Sequence, residues 1–219
     1  MAKLYFKYGA MGSSKTAQAL ITKYNYEEND MKVWLLKPSA DTRDGAAVIR
    51  SRIGLEAECE IATPGTDIYE RFRTGRMGFC DVIIVDECQF LTRDEVYYLV
   101  HLVDDCGIPV ICYGLRADFQ GNLFEGSHWL MAWADTIEEI KTVCWCGRKA
   151  ICNARVSGGK VVKAGEQIVQ SLVMPNKNCR LYYALYPKGA SAPTAADFKA
   201  NALTGNLGRG VIDVQKNTP

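Results

Sequence analysis

The stretch Val82-Ile83-Ile84-Val85-Asp86-Glu87-Cys88-Gln89-Phe90 decides the fold. Four consecutive β-branched residues end abruptly in two carboxylates. A short apolar run of this kind predicts a strand of a parallel sheet, buried on both faces. Asp86 and Glu87 then emerge at its carboxyl end, where open α/β sheets bind ligands. Two acids side by side there divide the labour: one holds a magnesium ion, the other takes a proton. The plainer alternative is a strand followed by a solvated acidic turn.

A second segment tips the balance. Gly9-Ala10-Met11-Gly12-Ser13-Ser14-Lys15-Thr16 follows an apolar strand candidate at 4–6 and opens a helix candidate at 16–24. Strand, glycine-bearing loop and helix are the context of the Walker A phosphate loop. Its backbone N–H groups and the positive end of the helix dipole make an anion site. Lys15 is placed to reach terminal phosphates and the Thr16 hydroxyl to coordinate magnesium, with Asp86 close by. Ser14 stands where the common pattern has a second glycine, and serine resists positive φ. Gly12 is therefore expected to give the loop its slack. The opening turn and the acidic pair are expected to meet across neighbouring strand tips.

Composition narrows the function classes. The chain has 219 residues, enough for one ordinary domain and a small appendage, and 48% are hydrophobic, enough for a substantial core. A net charge of +1 argues against a dominant polyanion-binding surface, so no nucleic-acid partner is expected. No apolar run approaches the roughly 20 residues of a membrane span, and the start of the chain reads as a strand rather than a signal peptide. The nine cysteines are an odd count, which beside a phosphate loop fits a reducing cytoplasm better than a disulfide scaffold. Cys80, Cys88, Cys106 and Cys112 lie in or beside apolar segments and read as small buried hydrophobes.

The first two thirds alternate strand candidates (4–6, 33–36, 82–85, 109–113) with helix candidates (16–24, 67–73, 93–103). Alternation of this kind predicts a P-loop NTPase-type parallel sheet flanked by helices, over residues 1–141. The polar connection 37–62 reads as a mobile or ligand-ordered excursion. Near Thr142 the pattern changes to short β-prone pieces, with a hairpin turn at Ser157-Gly158-Gly159-Lys160 and strand candidates at 167–169 and 180–185. Residues 142–187 are expected to form a small β-rich module. Residues 188–219 read as a weakly ordered tail with a short helix at 195–202.

Several of these segments together resemble the type II thymidine kinases. The likeness rests on Gly9-x-Met11 within the phosphate loop, Lys37-Pro38 followed by Asp41 and Arg43, and Ser51-Arg52. It rests further on Asp86-Glu87-x-Gln89-Phe90 and Tyr113-Gly114-Leu115-Arg116-x-Asp118-Phe119, and it covers most of residues 1–183. The resemblance implies transfer of a phosphoryl group from ATP to the 5′-hydroxyl of thymidine. Glu87 is then the general base, with Thr16 and Asp86 on the magnesium side and Arg52 folded over the phosphates or simply solvated. Met11, Phe90, Leu115 and Phe119 match positions lining the thymine pocket, each also explicable as ordinary core, and Asn153 falls where a family threonine helps at the base. The base-binding loop, here 167–179, departs from the family pattern: its Gly-Gly and following tyrosine are missing. The resemblance also implies a homotetramer.

It further implies a zinc-ribbon-like second module, with departures. Cys144-Trp145-Cys146 is one residue shorter than the family's C-x-x-C, and Tyr182 stands where a fourth ligand belongs after Cys179. Three thiolates with a borrowed ligand compete with free cysteines whose packing replaces the metal. Two rival functions remain open from sequence: a DNA-dependent P-loop ATPase of the recombinase-like class, and a nucleotide-binding relative without kinase activity.

Overall fold

A computed structural model describes residues 1–41, 47–65, 67–75, 78–144, 148–157, 160–162, 164–165 and 176–178. The described residues divide into two compact units. One comprises 1–117 with 122–140, the other 118–121 with the described residues from 141 onward.

In chain order the first unit runs β1 (Leu4–Tyr8), α1 (Lys15–Glu27), β2 (Val33–Pro38), β3 (Val48–Arg50), β4 (Glu56–Glu58), β5 (Glu60–Ala62), α2 (Ile68–Arg73), β6 (Val82–Val85), a 3-10 turn (Cys88–Phe90), α3 (Arg93–Asp104), β7 (Val110–Gly114), α4 (Glu125–Trp133) and β8 (Thr136–Glu139). Six strands form one sheet in the order β5-β2-β6-β7-β1-β8, and every pairing in it is parallel. The expected P-loop-type α/β sheet is the observed one. Its two cores follow from strand alternation. Ile83 and Val85 join Leu4, Phe6, Leu36 and Cys112 against Val96, Leu99 and Leu102 of α3 and Leu130 of α4. Val82 and Ile84 point the other way, with Leu35, Ile111 and Tyr113, against Ala19 and Leu20 of α1. With helices on both faces every β6 side chain is buried, each stabilising the fold by roughly 1.5–3 kcal/mol. Cys80, Cys88 and Cys112 are buried in the same way and Cys106 partly so; burial pushes the Cys88 thiol well up.

Two elements differ from expectation. Residues 124–133 carried no helix signal, because Gly126, Ser127 and His128 interrupt any apolar period; α4 forms because its face packs on α3 and the 3-10 turn. A Cβ at Gly126 would lie 2.9 Å from the Leu91 carbonyl and 3.1 Å from that of Gln89, so the close approach requires glycine. The polar sequence of β8 conceals an edge strand. It is held by Asp135, whose Oδ2 accepts from Leu4 N at 2.7 Å, and by a directly opposed Lys7–Glu138 ion pair at 3.0 Å.

The excursion after β2 is partly structured. β3 and β4 pair antiparallel and bury Ile49, while Lys37 Nζ donates to the Val48 carbonyl at 2.9 Å. In the second unit, β9 (Thr142–Val143) pairs with β10 (Lys149–Ala150), and β11 (Cys152–Ser157) lies between β12 (Lys160–Val162) and β13 (Asn176–Asn178). Ser157 pairs with Lys160; the two glycines of the expected hairpin turn lie outside the described residues. The strand candidates at 167–169 and 180–185, the helix at 195–202 and the tail lie outside the described residues.

Candidate active site

The phosphate-loop segment turns tightly between β1 and α1. Gly9 N donates to the Gly114 carbonyl at 3.2 Å, tying the tip of β1 to that of β7, and Ser13 N closes a turn on Ala10 O at 3.2 Å. A Cβ at Gly9 would fall 2.6 Å from the Ile140 carbonyl. Gly12 has φ 71°, as expected of the residue giving slack. Ser14, however, also sits left-handed at φ 61°, directly before α1. The loop thus imposes on Ser14 the conformation that glycine tolerates better. A residue there costs roughly 1–2 kcal/mol, which the surrounding turn and helix start over-determine.

Lys15 is 7% exposed. Its Nζ donates to Ala10 O at 3.0 Å and to Gly9 O and Ser13 Oγ, each at 3.3 Å, folding the ammonium back over its own loop. Asp86 leaves β6 with its N–H on the Leu36 carbonyl at 3.0 Å, and the residue is 3% exposed. Burial raises the Asp86 carboxyl to about 7, and the charge of Glu87 adds to this. A hydrogen bond from the Thr16 hydroxyl, the Glu87 backbone N–H and the charge of Lys15 pull the other way. The three groups therefore meet at one place, with a correction to the expected layout: β7 stands between β1 and β6, so their tips are next-neighbours in the sheet. Asp86 Oδ1 is buried with no hydrogen-bond partner among the described residues. A carboxylate oxygen left so, beside a threonine hydroxyl, suits a magnesium ion that keeps most of its ligands as water and phosphate. The residues fit the metal on that ground.

Glu87 turns left-handed, φ 51°. Two neighbours in sequence therefore part company: Asp86 goes into the crevice under the loop, Glu87 remains partly exposed. Gln89 Nε2 donates to Glu87 Oε2 at 2.5 Å. Of the pocket candidates in this unit, Met11 and Phe90 are half-buried and Leu115 is buried; Phe90 packs edge-on to Phe124 at 5.7 Å. Arg52 is exposed in the turn joining β3 and β4. In the second unit Phe119 is buried, with the Arg155 guanidinium 3.7 Å over its ring, and Asn153 is buried on β11. Cys144 is buried and its N–H donates to Arg148 O at 2.7 Å; Cys146 and Cys179 lie outside the described residues. Among the described residues no cluster of three or more His, Cys, Asp or Glu side chains is placed to hold a metal.

Sequence reasoning assigned no role to Gln89, Ser127 or the Arg155–Phe119 stack. Gln89 carried a faint signal, an amide following an acidic pair; Ser127 and Arg155 carried none, since their partners are distant in the chain.

A parallel sheet with a phosphate-binding loop after its first strand and a buried aspartate beyond a next-neighbour tip defines a P-loop nucleotide-binding fold. The family model described as Thymidine kinase matches residues 2–176, and the chain belongs to that family. A thymidine kinase of Rhodopirellula baltica is 48% identical over 170 residues, covering 77% of this chain and 81% of the relative. One of Shewanella oneidensis is 44% identical over 170 residues, covering 77% and 88%. One of Legionella pneumophila strain Paris is 42% identical over 212 residues, covering 93% of this chain and 100% of the relative. Membership favours neither the recombinase-like ATPase nor a merely nucleotide-binding relative. No helix among the described residues is long and apolar enough to cross a membrane.

Proposed function

We propose that this chain transfers the γ-phosphoryl group of ATP to the 5′-hydroxyl of thymidine, giving dTMP and ADP. The observation that carries the residue roles is the convergence of Lys15, the Thr16 hydroxyl and the half-satisfied Asp86 carboxylate, with Glu87 turned away beside them. Loop N–H groups and Lys15 bind the phosphates, Lys15 exchanging its carbonyl partners for phosphate oxygens. Thr16 and Asp86 would hold magnesium, which would supply charge neutralisation for the phosphates. Glu87 accepts the proton of the 5′-hydroxyl as that oxygen attacks phosphorus and ADP leaves with the bonding pair. A positioned base contributes on the order of 10²–10⁴-fold in rate.

In the first unit Met11, Phe90 and Leu115 are the nucleoside-contacting residues, and in the second unit the family pattern gives that role to Phe119 and Asn153; flat and polarizable side chains suit a pyrimidine ring. Arg52, exposed in the β3–β4 turn, either contacts the phosphates or stays solvated. The protein works in the cytoplasm as a homotetramer, which sedimentation reads directly. Zinc on Cys144, Cys146 and Cys179 and a metal-free packed module are the two readings of the second unit, separated by the metal content of the purified protein.

The decisive experiment is phosphorylation with ATP and magnesium of thymidine, deoxyuridine and deoxycytidine. Thymidine is expected to be the best substrate, and no turnover of any of the three refutes the assignment. Glu87→Gln should lower turnover by about 10²–10⁴-fold while ATP and thymidine still bind; parental turnover by that variant removes Glu87 from its role.

A further inference from the structure

Gln89 is 1% exposed, and both ends of its amide are engaged. Oε1 accepts the Leu115 N–H at 2.9 Å and Nε2 donates to Glu87 Oε2 at 2.5 Å. A backbone N–H can only donate, so Leu115 fixes which end of the amide faces β7 and turns the NH₂ toward Glu87. The slot is shaped for it. A Cβ at Gly114 would lie 2.7 Å from Gln89 Oε1 and 2.6 Å from Cys88 Sγ. The other side of Leu115 is held too, its carbonyl accepting from Ser127 Oγ at 2.5 Å.

We propose that Gln89 is a positioning residue for phosphoryl transfer: it holds the Glu87 carboxylate in one orientation and ties it to the Leu115 backbone, so that base and nucleoside pocket keep a fixed relation. This rests on the assignment of Glu87 as base. Glu87 has a left-handed backbone, partial exposure and a long side chain, so the rotamer it keeps is set by the hydrogen bonds its carboxylate makes. A buried donor whose own acceptor is already occupied cannot follow those rotamers and selects one. Gln89 moves no proton. It is neutral, and its amide donates to the carboxylate, leaving Glu87 to receive the hydroxyl proton. Misplacing a reacting group by about 1 Å costs on the order of 10²-fold in rate, which sets the scale of the effect.

The test is a double-mutant cycle on the full chain. Gln89→Glu keeps an acceptor for the Leu115 N–H and replaces the amide donor by a second carboxyl, which repels Glu87 or shares a proton with it. Its kcat with thymidine should fall on the order of 10²-fold, with KM for thymidine and ATP within about twofold of the parent. Gln89→Met, uncharged and of similar length, removes both bonds, so its thymidine KM should rise as well as its kcat fall. In a Glu87→Gln background neither substitution should change the residual kcat by more than about twofold, because the group through which Gln89 acts is gone. Parental kcat in both single variants overturns the proposal, as does a loss of equal size in the Glu87→Gln background, which marks a purely structural role. Should Gln89→Glu not fold, Gln89→Met carries the same cycle. Full turnover by Glu87→Gln alone overturns the underlying base assignment and this proposal with it. A severely slowed Glu87→Gln beside fully active Gln89 variants overturns this proposal only.

Discussion

Asp86→Asn separates what the buried carboxylate does to stability from what it does for nucleotide. In the nucleotide-free protein the Asp86 carboxyl stands at about 7 against its ordinary 3.8, burial being the main cause. The folded value is raised, so the folded chain holds the proton more tightly than the unfolded one. The associated stability is present in full below about 4 and is lost as pH rises through about 7. A move of that size corresponds to on the order of 4 kcal/mol, an upper bound because Glu87 and the loop relax as Asp86 ionises. Asparagine keeps an acceptor for the Thr16 hydroxyl and carries no charge. At pH 8 without nucleotide Asp86→Asn should therefore be more stable than the parent by about 1–4 kcal/mol. For a chain of this size that is a gain of at least about 2 °C in melting temperature, closing toward pH 4. Magnesium–ATP should reverse the order. The parent gains about 2.7 kcal/mol at a concentration 100 times its Kd, while the variant, lacking the charged ligand, gains little. The assay is thermal unfolding at pH 4.5 and 8 with and without magnesium–ATP. An Asp86→Asn protein less stable than the parent at pH 8, and equally stabilised by the nucleotide, refutes the reasoning on both counts.

Other substitutions probe neighbouring parts. Ser14→Gly relieves the left-handed serine before α1 and should raise stability by about 0.5–1 kcal/mol after glycine's larger unfolded-state entropy is counted; a fall in melting temperature contradicts it. Lys15→Ala removes the ammonium that Gly9, Ala10 and Ser13 now hold. It should weaken triphosphate binding and turnover together, so unchanged ATP affinity by calorimetry counts against the phosphate-loop assignment. Thr92→Ala breaks the capping box of α3, in which Thr92 Oγ1 accepts from Glu95 N at 3.3 Å and donates to Glu95 Oε2 at 2.9 Å. A loss of about 1–2 kcal/mol is expected, since the buried Glu95 carboxylate also loses a donor, and urea titration reads it.

Sequence by itself determined the strands and helices that carry their own signal. The β-branched run of β6 is apolar on both faces, so only a sheet covered twice satisfies it. The spacing from Gly9 to Lys15-Thr16 makes an anion site from the backbone of one local loop. What sequence left open depended on partners far along the chain. α4 is a helix because α3 and the 3-10 turn cover it, and β8 is a strand because β1 offers a free edge. The interposed β7, the left-handed Ser14 and Glu87, and the amide of Gln89 strung between Leu115 and Glu87 are tertiary facts. Each depends on how the tips of β1, β6 and β7 sit beside one another, a relation fixed by packing rather than by any local pattern of residues.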